Sequence, residues 1–359
     1  MKQFALISFL SLLTYSTFAQ SLAGVESVEY DPINNRYLAS SDGSSIVAIA
    51  PNGGLSHFGV GATADYGMEV MNGTLFVVSG NSVKGYDLIS ETEVMDLGIG
   101  GTQFLNGMGS DGVSKLWVSD FNGFDIYEID VSSFVFPSFV KVADENDLGT
   151  THKPNGIVYD GDNNRILIAG WGTNAPIRAM DLTTNNVTDV VANTGLNNID
   201  GIDRGCDGSW YVSSWGPAQI TKYSNDFSTS EIITVPGINN PADICYSVET
   251  DTLAIPGGDQ VLFVGFECAA VGIEEETFDA YSIHYSSGYP VLHFELLEDQ
   301  NVSLDIVDMS GRVVYSVFEG MQPKGLQTVV LSSIGLYSGN YICRMRSKEL
   351  SFSERVVIP

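Results

Sequence analysis

Oxygen-bearing side chains recur at one position of a repeating sequence pattern, where they could together hold a metal ion. The position is occupied in turn by Glu26, Tyr66, Asn106, Asn155, Asp200 and Ala242. Carboxylate and amide oxygens are hard ligands that suit Ca²⁺, and the lack of His and Cys argues against zinc or copper. Without a cation, buried carboxylates at one point would repel each other. We therefore predict a divalent cation, Ca²⁺ or another, held by Glu26, Asn106, Asn155 and Asp200.

Ordinary turns are the alternative explanation for several of these residues. Asn106, Asn155 and Asp200 each precede a glycine, and Asn-Gly and Asp-Gly pairs are common in turns. Glu26 occupies the same repeat position and is not a turn former. The shared position therefore favours a common site.

A second repeat position supplies aromatic side chains that could line a pocket beside the cation. It is occupied by Asp42, Gly80, Phe121, Trp171, Trp215 and Gly258. Phe121, Trp171 and Trp215 could contact the face of a sugar or an apolar ligand, although they could also only pack between neighbouring sheets. His152 is a further candidate substrate-binding residue and could act as an acid or base, while a lone loop histidine is usually only solvated.

The elements that must position these residues form repeats of about 41 residues between residues 23 and 266. Tyr30-Asp31 aligns with Tyr159-Asp160, and Asn34-Asn35-Arg36 aligns with Asn163-Asn164-Arg165. Each repeat contains short runs of β-branched and aromatic residues separated by Gly, Asn and Asp, which is typical of an antiparallel meander. Six such units predict an all-β chain with a six-bladed β-propeller, in which the first strands line the central axis. A fourth strand for the last blade is not evident from the sequence.

The metal-ligand pattern resembles that of the senescence-marker-protein/gluconolactonase family and related phosphotriesterase-like propellers. The matching residues are Glu26, Asn106, the Pro154-Asn155-Gly156 run and the Asp200-Gly201 pair. This resemblance implies a cation held by Glu26, Asn155 and Asp200, with Asn106 as a ligand or substrate contact. The chain differs from the family at Ser27-Val28, where the family has Gly-Pro, and at Ala242, which offers no ligand.

Both ends of the chain have distinct patterns. Residues 1–20 have the order of a secretory signal peptide, with Lys2, an apolar stretch and a small-residue cleavage region. We expect the propeller over 21–267, a linker over 268–280 and a small β-sandwich over 281–359. The run VSLDIVDMSGRVVYS and the segment GLYSGNYICRMRS resemble the C-terminal sorting domain of the type IX secretion system. That resemblance implies export through the periplasm to the cell surface or medium.

Charge and cysteine content limit the partners. The 359 residues carry a net charge of −28, which repels a phosphate backbone, so nucleic acid is an improbable partner. No stretch after the leader is apolar enough to span a bilayer. Cys206 and Cys245 fall in predicted inner strands, where a buried thiol is more common than a disulfide.

These features predict a secreted, metal-dependent hydrolase of the lactone or ester type. In this hypothesis Asp200 is both a metal ligand and the catalytic nucleophile or general base. The alternative is a non-catalytic extracellular propeller that binds a glycan or a protein, with structural calcium or no metal. A third possibility is a scaffold with an empty axis.

Overall fold

A computed structural model gives the structure of the chain, and it divides the chain into two compact units, Met1–Val271 and Gly272–Pro359. The described residues are 20–41, 44–266, 281–286, 289–296, 299–307, 312–331, 336, 339–347 and 351–358. The predicted leader up to residue 19, the predicted linker and Cys268 lie outside them. Among the described residues, no helix has the length and apolar character needed to cross a membrane.

The described part of the first unit is built from four-stranded antiparallel sheets that follow one another along the chain. Their strands are, for the first sheet, β2 (Val28–Asp31), β3 (Arg36–Ser41), β4 (Ser45–Ile49) and β5 (Leu55–His57); for the second, β6 (Met68–Met71), β7 (Thr74–Ser79), β8 (Ser82–Asp87) and β9 (Glu93–Gly98); for the third, β10 (Leu105–Ser110), β11 (Lys115–Asp120), β12 (Asp125–Asp130) and β13 (Ser138–Ala143); for the fourth, β14 (Lys153–Asp160), β15 (Arg165–Trp171), β16 (Ile177–Asp181) and β17 (Val187–Val191); for the fifth, β18 (Asn197–Arg204), β19 (Trp210–Gly216), β20 (Ala218–Tyr223) and β21 (Ser230–Ile233); and for the sixth, β22 (Cys245–Ser247), β23 (Thr252–Gly257), β24 (Gln260–Gly265) and β1 (Gln20–Ser21).

The strand β1 completes the sixth sheet from the other end of the sequence. It pairs antiparallel with β24, with Gln20 opposite Val261 and Ser21 opposite Gln260. The predicted leader over 1–20 includes Gln20, and the sequence shows no evident fourth strand for this blade, so the pairing corrects both expectations. Pairing of the first strand with the last sheet ties the two ends of the unit together and covers the edge of β24.

The inner strands of successive sheets pack against one another in the order β2, β6, β10, β14, β18 and β22, and β22 returns to β2. At this return, the Asp243 amide donates to the Glu26 carbonyl oxygen at 3.0 Å, and Ser27 and Asp243 form a parallel bridge. The cores between sheets are apolar clusters such as Leu38, Met68, Leu75 and Val77. The six described sheets therefore close into a ring.

The aligned turns of the first and fourth sheets share two side-chain hydrogen bonds. Asp31 accepts hydrogen bonds from Arg36 Nε at 2.9 Å and Asn34 Nδ2 at 2.8 Å. In the fourth sheet Asp160 accepts from Arg165 Nε at 2.7 Å and Asn163 Nδ2 at 2.8 Å.

Asp31 and Asp160 are both fully buried. Their hydrogen bonds therefore compensate the free-energy cost of removing each carboxylate from water. The asparagines Asn35 and Asn164 take left-handed backbone angles of 49° and 48°, as tight turns between the first two strands require.

Helix is confined, in the described residues, to α1 (Glu145–Leu148) and a single 3₁₀ turn at Gly161–Asn163. The Asp144 side chain caps α1 by accepting a hydrogen bond from the Asn146 amide. The Asp147 side chain in turn accepts one from the Asp144 amide. The segment joins the third sheet to the fourth, just before the strand that carries Asn155.

The second unit contains two antiparallel sheets. One consists of β25 (Tyr281–Ser286), β26 (Tyr289–Leu296) and β29 (Gly325–Val330); the other consists of β28 (Val313–Gln322), β27 (Gln300–Val307), β30 (Gly339–Ser347) and β31 (Ser351–Ile358). Every second residue of β26 and β27 is buried, and both strands contribute to one apolar cluster. The two sheets thus bury a common core.

The cysteines only partly follow the prediction. Cys245 is a buried free thiol on β22, as expected. Cys206 is disulfide-bonded, so the expectation of a buried thiol was wrong for it. It follows the end of β18 at a half-exposed position and not within an inner strand.

Candidate functional site

Glu26, Asn106, Asn155 and Asp200 all lie at the beginning of inner strands, on the same rim of the ring. Asn106, Asn155 and Asp200 lie inside β10, β14 and β18, and Glu26 lies just before β2. The turn alternative was therefore wrong for the three residues that precede a glycine. The strand pairing is irregular where they lie, between Leu105 and Met108, between Pro154 and Ile157, and between Ile199 and Ile202. Such bulges re-aim side chains and are frequent beside active sites.

The glycines that follow these residues allow neighbouring inner strands to approach closely. A Cβ atom at Gly107 would lie 2.3 Å from the Asn155 carbonyl oxygen, and one at Gly156 would lie 2.4 Å from the Asp200 carbonyl oxygen. Only glycine fits at such distances. The Asn-Gly and Asp-Gly pairs therefore serve strand packing around the axis.

Asn155 and Asp200 are in direct contact. The Asn155 amide donates from Nδ2 to Asp200 Oδ1 at 3.0 Å, and the two residues are only 2% and 7% exposed. Burial raises the pKa of Asp200 well above its usual value, and the charges of Glu26 and Asp243 raise it further. Burial also raises the pKa of Glu26. Glu26, Asn155 and Asp200 therefore form one electrostatic cluster.

Asn106 is placed at the same level, and its carbonyl oxygen accepts the Gly67 amide at 3.0 Å. Its side chain is half-buried. This backbone hydrogen bond places Asn106 on the same rim as Glu26, Asn155 and Asp200. Its role as a ligand stays a prediction.

Asp243 belongs to this cluster and was missed in the sequence, where Ala242 represented the last repeat. The other repeats have a small residue at the position of Asp243, namely Ser27, Gly67, Gly107, Gly156 and Gly201. Asp243 accepts a hydrogen bond from Ser27 Oγ at 3.1 Å, and burial raises its pKa to about 7. A carboxylate where the other repeats have Gly or Ser was the signal that could have found it.

A second layer of acidic side chains lies three residues further along the inner strands. Glu29, Glu69 and Asp203 line a cavity of about 180 Å³ together with Asp243 and Cys245. Burial raises the pKa values of Glu29 and Glu69 well above normal, and that of Asp203 to about 7. The described residues that line this cavity include no Lys, Arg or His. Among the described residues no group of three or more His, Cys, Asp or Glu side chains is arranged to hold a metal ion.

The predicted aromatic residues form part of a longer row, which we call the aromatic arc. It consists of Tyr66, Phe104, Phe121, Trp171 and Trp215. Trp171 and Trp215 lie at the ends of β15 and β19, and Phe121 follows β11. Gly80 and Gly258 hold the same position after β7 and β23, whereas Asp42 lies outside the described residues. Phe104 was missed because it precedes the inner strand and belongs to neither repeat position.

His152 lies on this rim, next to the strand that carries Trp171. Its Nε2 is 2.9 Å from the Thr173 carbonyl oxygen, so this nitrogen carries the proton that it donates. The contact holds the imidazole against the loop that follows β15. An acid or base role for His152 is not supported by this contact.

Comparison with solved structures decides the fold. A gluconolactonase from Xanthomonas campestris is 15% identical, with a TM-score of 0.56 over 69% of this chain and 87% of that chain. The β-propeller domain of Cps50 (Swd1) from Myceliophteria thermophila is 9% identical, with a TM-score of 0.52 over 70% of this chain and all of that chain. The chain has a β-propeller fold. At these identities the likeness extends to the fold alone.

A longer protein also matches more loosely. The extracellular domain of a Bacteroides thetaiotaomicron protein assigned to the hybrid two-component systems is 13% identical, with a TM-score of 0.47 over 93% of this chain. This chain spans half the length of that domain. No protein-family model matches the sequence, and no curated protein matches it.

Proposed function

We propose that the propeller is a secreted, calcium-dependent hydrolase of lactones or esters that acts at the rim of the central axis. The observation that carries the proposal is the contact of Asn155 Nδ2 with Asp200 Oδ1 at 3.0 Å, within the field of Glu26. Two carboxylate and two amide side chains come from the same repeat position of four different sheets, at the start of their inner strands. The fold of the X. campestris gluconolactonase, a propeller of similar size, agrees with this proposal.

The residues fit a hard divalent cation. Glu26, Asn106, Asn155 and Asp200 offer carboxylate and amide oxygens, which are ligands that Ca²⁺ accepts. Burial and the charge of Glu26 raise the pKa of Asp200, burial raises the pKa of Glu26, and a cation between the two carboxylates would favour their ionised forms. The Trp215 indole N–H is buried and makes no hydrogen bond of normal geometry among the described residues, although its approach to Asp200 lowers the pKa of that carboxyl. When bound, the cation would polarise an ester carbonyl as a Lewis acid.

Asp200 is the proposed nucleophile or general base. Its carboxylate is held by Asn155, which fixes its orientation, and it is nearly excluded from solvent. A carboxylate with a raised pKa is a better base than an exposed one once it is ionised. Asp243 supplies a further negative charge next to it.

Hydrolysis of a lactone and ester panel by the full chain, with calcium and with chelator, tests the proposal. Calcium-dependent turnover that is lost in Asp200→Ala, with the melting curve still cooperative, supports it. Chelator-sensitive melting without hydrolysis of any ester would instead favour the non-catalytic propeller that binds a glycan or a protein. A melting temperature that changes with neither calcium nor chelator would contradict the proposed metal site.

We also propose export of the chain, with the residues before Gln20 as the signal, since Gln20 belongs to β1, and with 281–359 as a β-sandwich read by the type IX secretion machinery. The two sheets of the second unit with their common core, and the strand sequences quoted above, support this assignment. Fractionation of cells that possess this machinery tests it. The full chain should reach the surface or medium, and a chain without residues 281–359 should stay in the periplasm.

A further inference from the structure

The aromatic arc is continuous along the rim that carries the candidate site. Successive ring centroids are 4.7 Å apart from Tyr66 to Phe104, 5.7 Å from Phe104 to Phe121, 5.7 Å from Phe121 to Trp171 and 4.9 Å from Trp171 to Trp215. All five side chains are partly exposed. Rings in the core of a protein are normally fully buried, as Trp210 and Phe76 are here. The arc thus offers an apolar surface to a ligand.

Both ends of the arc lie beside residues of the candidate site. At one end the amide of Gly67, the residue after Tyr66, donates to the carbonyl oxygen of Asn106 at 3.0 Å. At the other end Ile199, the residue before Asp200, pairs with Ser214, the residue before Trp215. The arc and the candidate ligands therefore lie on the same rim of the ring.

The orientation of the rings limits what can lie on them. Neighbouring rings are inclined by 60°, 64°, 69° and 75°. No two adjacent faces are coplanar, so a stiff chain of sugar rings finds no flat platform. Lys153 Nζ also covers one face of Phe121, 4.6 Å from its centroid. An aliphatic chain or a single aryl group can fit the notches between the face of one ring and the edge of the next.

The backbone beneath the arc is fixed by a buried carboxylate. Asp120 is 0% exposed and accepts hydrogen bonds from the amides of Gln103 at 2.7 Å, Phe104 at 2.8 Å and Gly123 at 2.9 Å. These contacts join the segment before β10 to the segment after β11, and so hold Phe104 and Phe121 next to each other. A surface that is held in this way needs little ordering when a ligand binds.

We propose that the site takes lactones or esters with an apolar chain or aryl group, and that Tyr66 and Phe104 determine this specificity together with Phe121, Trp171 and Trp215. This inference rests on the proposed hydrolase function. The reacting carbonyl lies at the carboxylates, and the apolar group lies along the arc.

The test compares γ-butyrolactone, γ-nonalactone and glucono-1,5-lactone as substrates of the full chain in calcium. We expect kcat/KM to be highest for γ-nonalactone. Phe104→Ala and Tyr66→Ala should each lower it about tenfold for γ-nonalactone, with a smaller loss for γ-butyrolactone. Phe136→Ala is the matched control, because Phe136 is 83% exposed in the loop after β12, at the other end of the third sheet. A preference for the sugar lactone, or equal losses for short and long substrates, would overturn the inference.

Binding separates this inference from the proposed function. Where no lactone is hydrolysed, γ-nonalactone and glucose are titrated against the tryptophan fluorescence of the full chain. Saturable quenching by γ-nonalactone that Phe104→Ala weakens supports the arc as an apolar-ligand surface while rejecting the hydrolase. Turnover without a chain-length preference rejects only the role of the aromatic arc in specificity. If the protein shows no turnover and no binding, both the hydrolase function and the role of the arc are rejected.

Discussion

Asn155 Nδ2 donates to Asp200 Oδ1 across 3.0 Å, although 45 residues separate the two along the chain. The contact joins the inner strands of two adjacent sheets and lies beside Gly156, where the backbones approach most closely. An amide donor next to one carboxylate oxygen orients that carboxylate and lowers its pKa, while burial and Glu26 oppose this. Contacts from other sheets thus set both the orientation and the ionisation of Asp200.

Calcium is expected to stabilise the protein through Glu26 and Asp200. At a calcium concentration of about 100 Kd, binding to the folded state alone adds about 2.7 kcal/mol to the free energy of unfolding. Glu26→Gln should abolish most of the calcium-dependent rise in Tm, measured by calorimetry. Asp162→Asn is the control, since Asp162 is an exposed carboxylate on the turn after β14. An unchanged calcium response in Glu26→Gln would contradict the assignment.

Gly156→Ala is expected to damage the site through the backbone. The added Cβ would lie 2.4 Å from the Asp200 carbonyl oxygen, so β14 and β18 would have to separate. Overpacking of this kind costs about 1–3 kcal/mol. Denaturant unfolding should show this loss, and the calcium response should weaken with it. Gly100→Ala, at an exposed position with no atom within 4 Å of the added Cβ, should leave both unchanged.

Stability is expected to fall as pH rises, because the cavity carboxylates have raised pKa values. The pKa of Asp203 is about 7 in the folded state, chiefly through burial, whereas an unfolded aspartate has a pKa of about 3.9. Between these values the folded state binds more protons than the unfolded state, so the free energy of unfolding decreases with pH.

Asp203→Asn keeps an acceptor for the Tyr246 amide and removes the titration. The Tm difference between Asp203→Asn and the parent, measured in chelator, should therefore grow from pH 4 to pH 8. Asp226→Asn is the control, since Asp226 is exposed and its pKa is lowered to about 2. A difference that stays constant with pH would contradict the expected protonation of Asp203.

The repeat and its inner-strand position could be derived from sequence because both rest on local patterns. Asp31 and Asp160 accept equivalent hydrogen bonds from an asparagine side chain and an arginine Nε, as the aligned Tyr-Asp and Asn-Asn-Arg runs indicate. Other features depend on contacts between distant segments. The pairing of Gln20 with Val261 and the hydrogen bond from Ser27 to Asp243 join the two ends of the first unit, which the repeat pattern does not relate. Phe104 joins the arc only because Asp120 holds its segment beside Phe121.

The repeated turn is expected to stabilise the fold. Asp160→Ala leaves the partly buried Arg165 without its carboxylate, and breaking a buried pair in this way costs about 3–5 kcal/mol. Urea unfolding of Asp160→Ala and the parent measures the loss. A loss of no more than about 1 kcal/mol, as for a surface ion pair, would contradict a stabilising role of this turn.

Asp120→Asn should alter the aromatic arc and spare the cation. Asparagine has nearly the same shape, but its amide nitrogen cannot accept the backbone amides that both carboxylate oxygens of Asp120 receive. A buried amide left without an acceptor costs about 1–3 kcal/mol, which loosens the segment of Phe104. Most of the calcium-dependent rise in Tm should persist, because Glu26, Asn155 and Asp200 lie on other sheets and only Asn106 follows the loosened segment. The kcat/KM for γ-nonalactone should fall with that for γ-butyrolactone nearly unchanged. Loss of the calcium response together with the chain-length preference would mean that Asp120 supports the whole rim and not the arc.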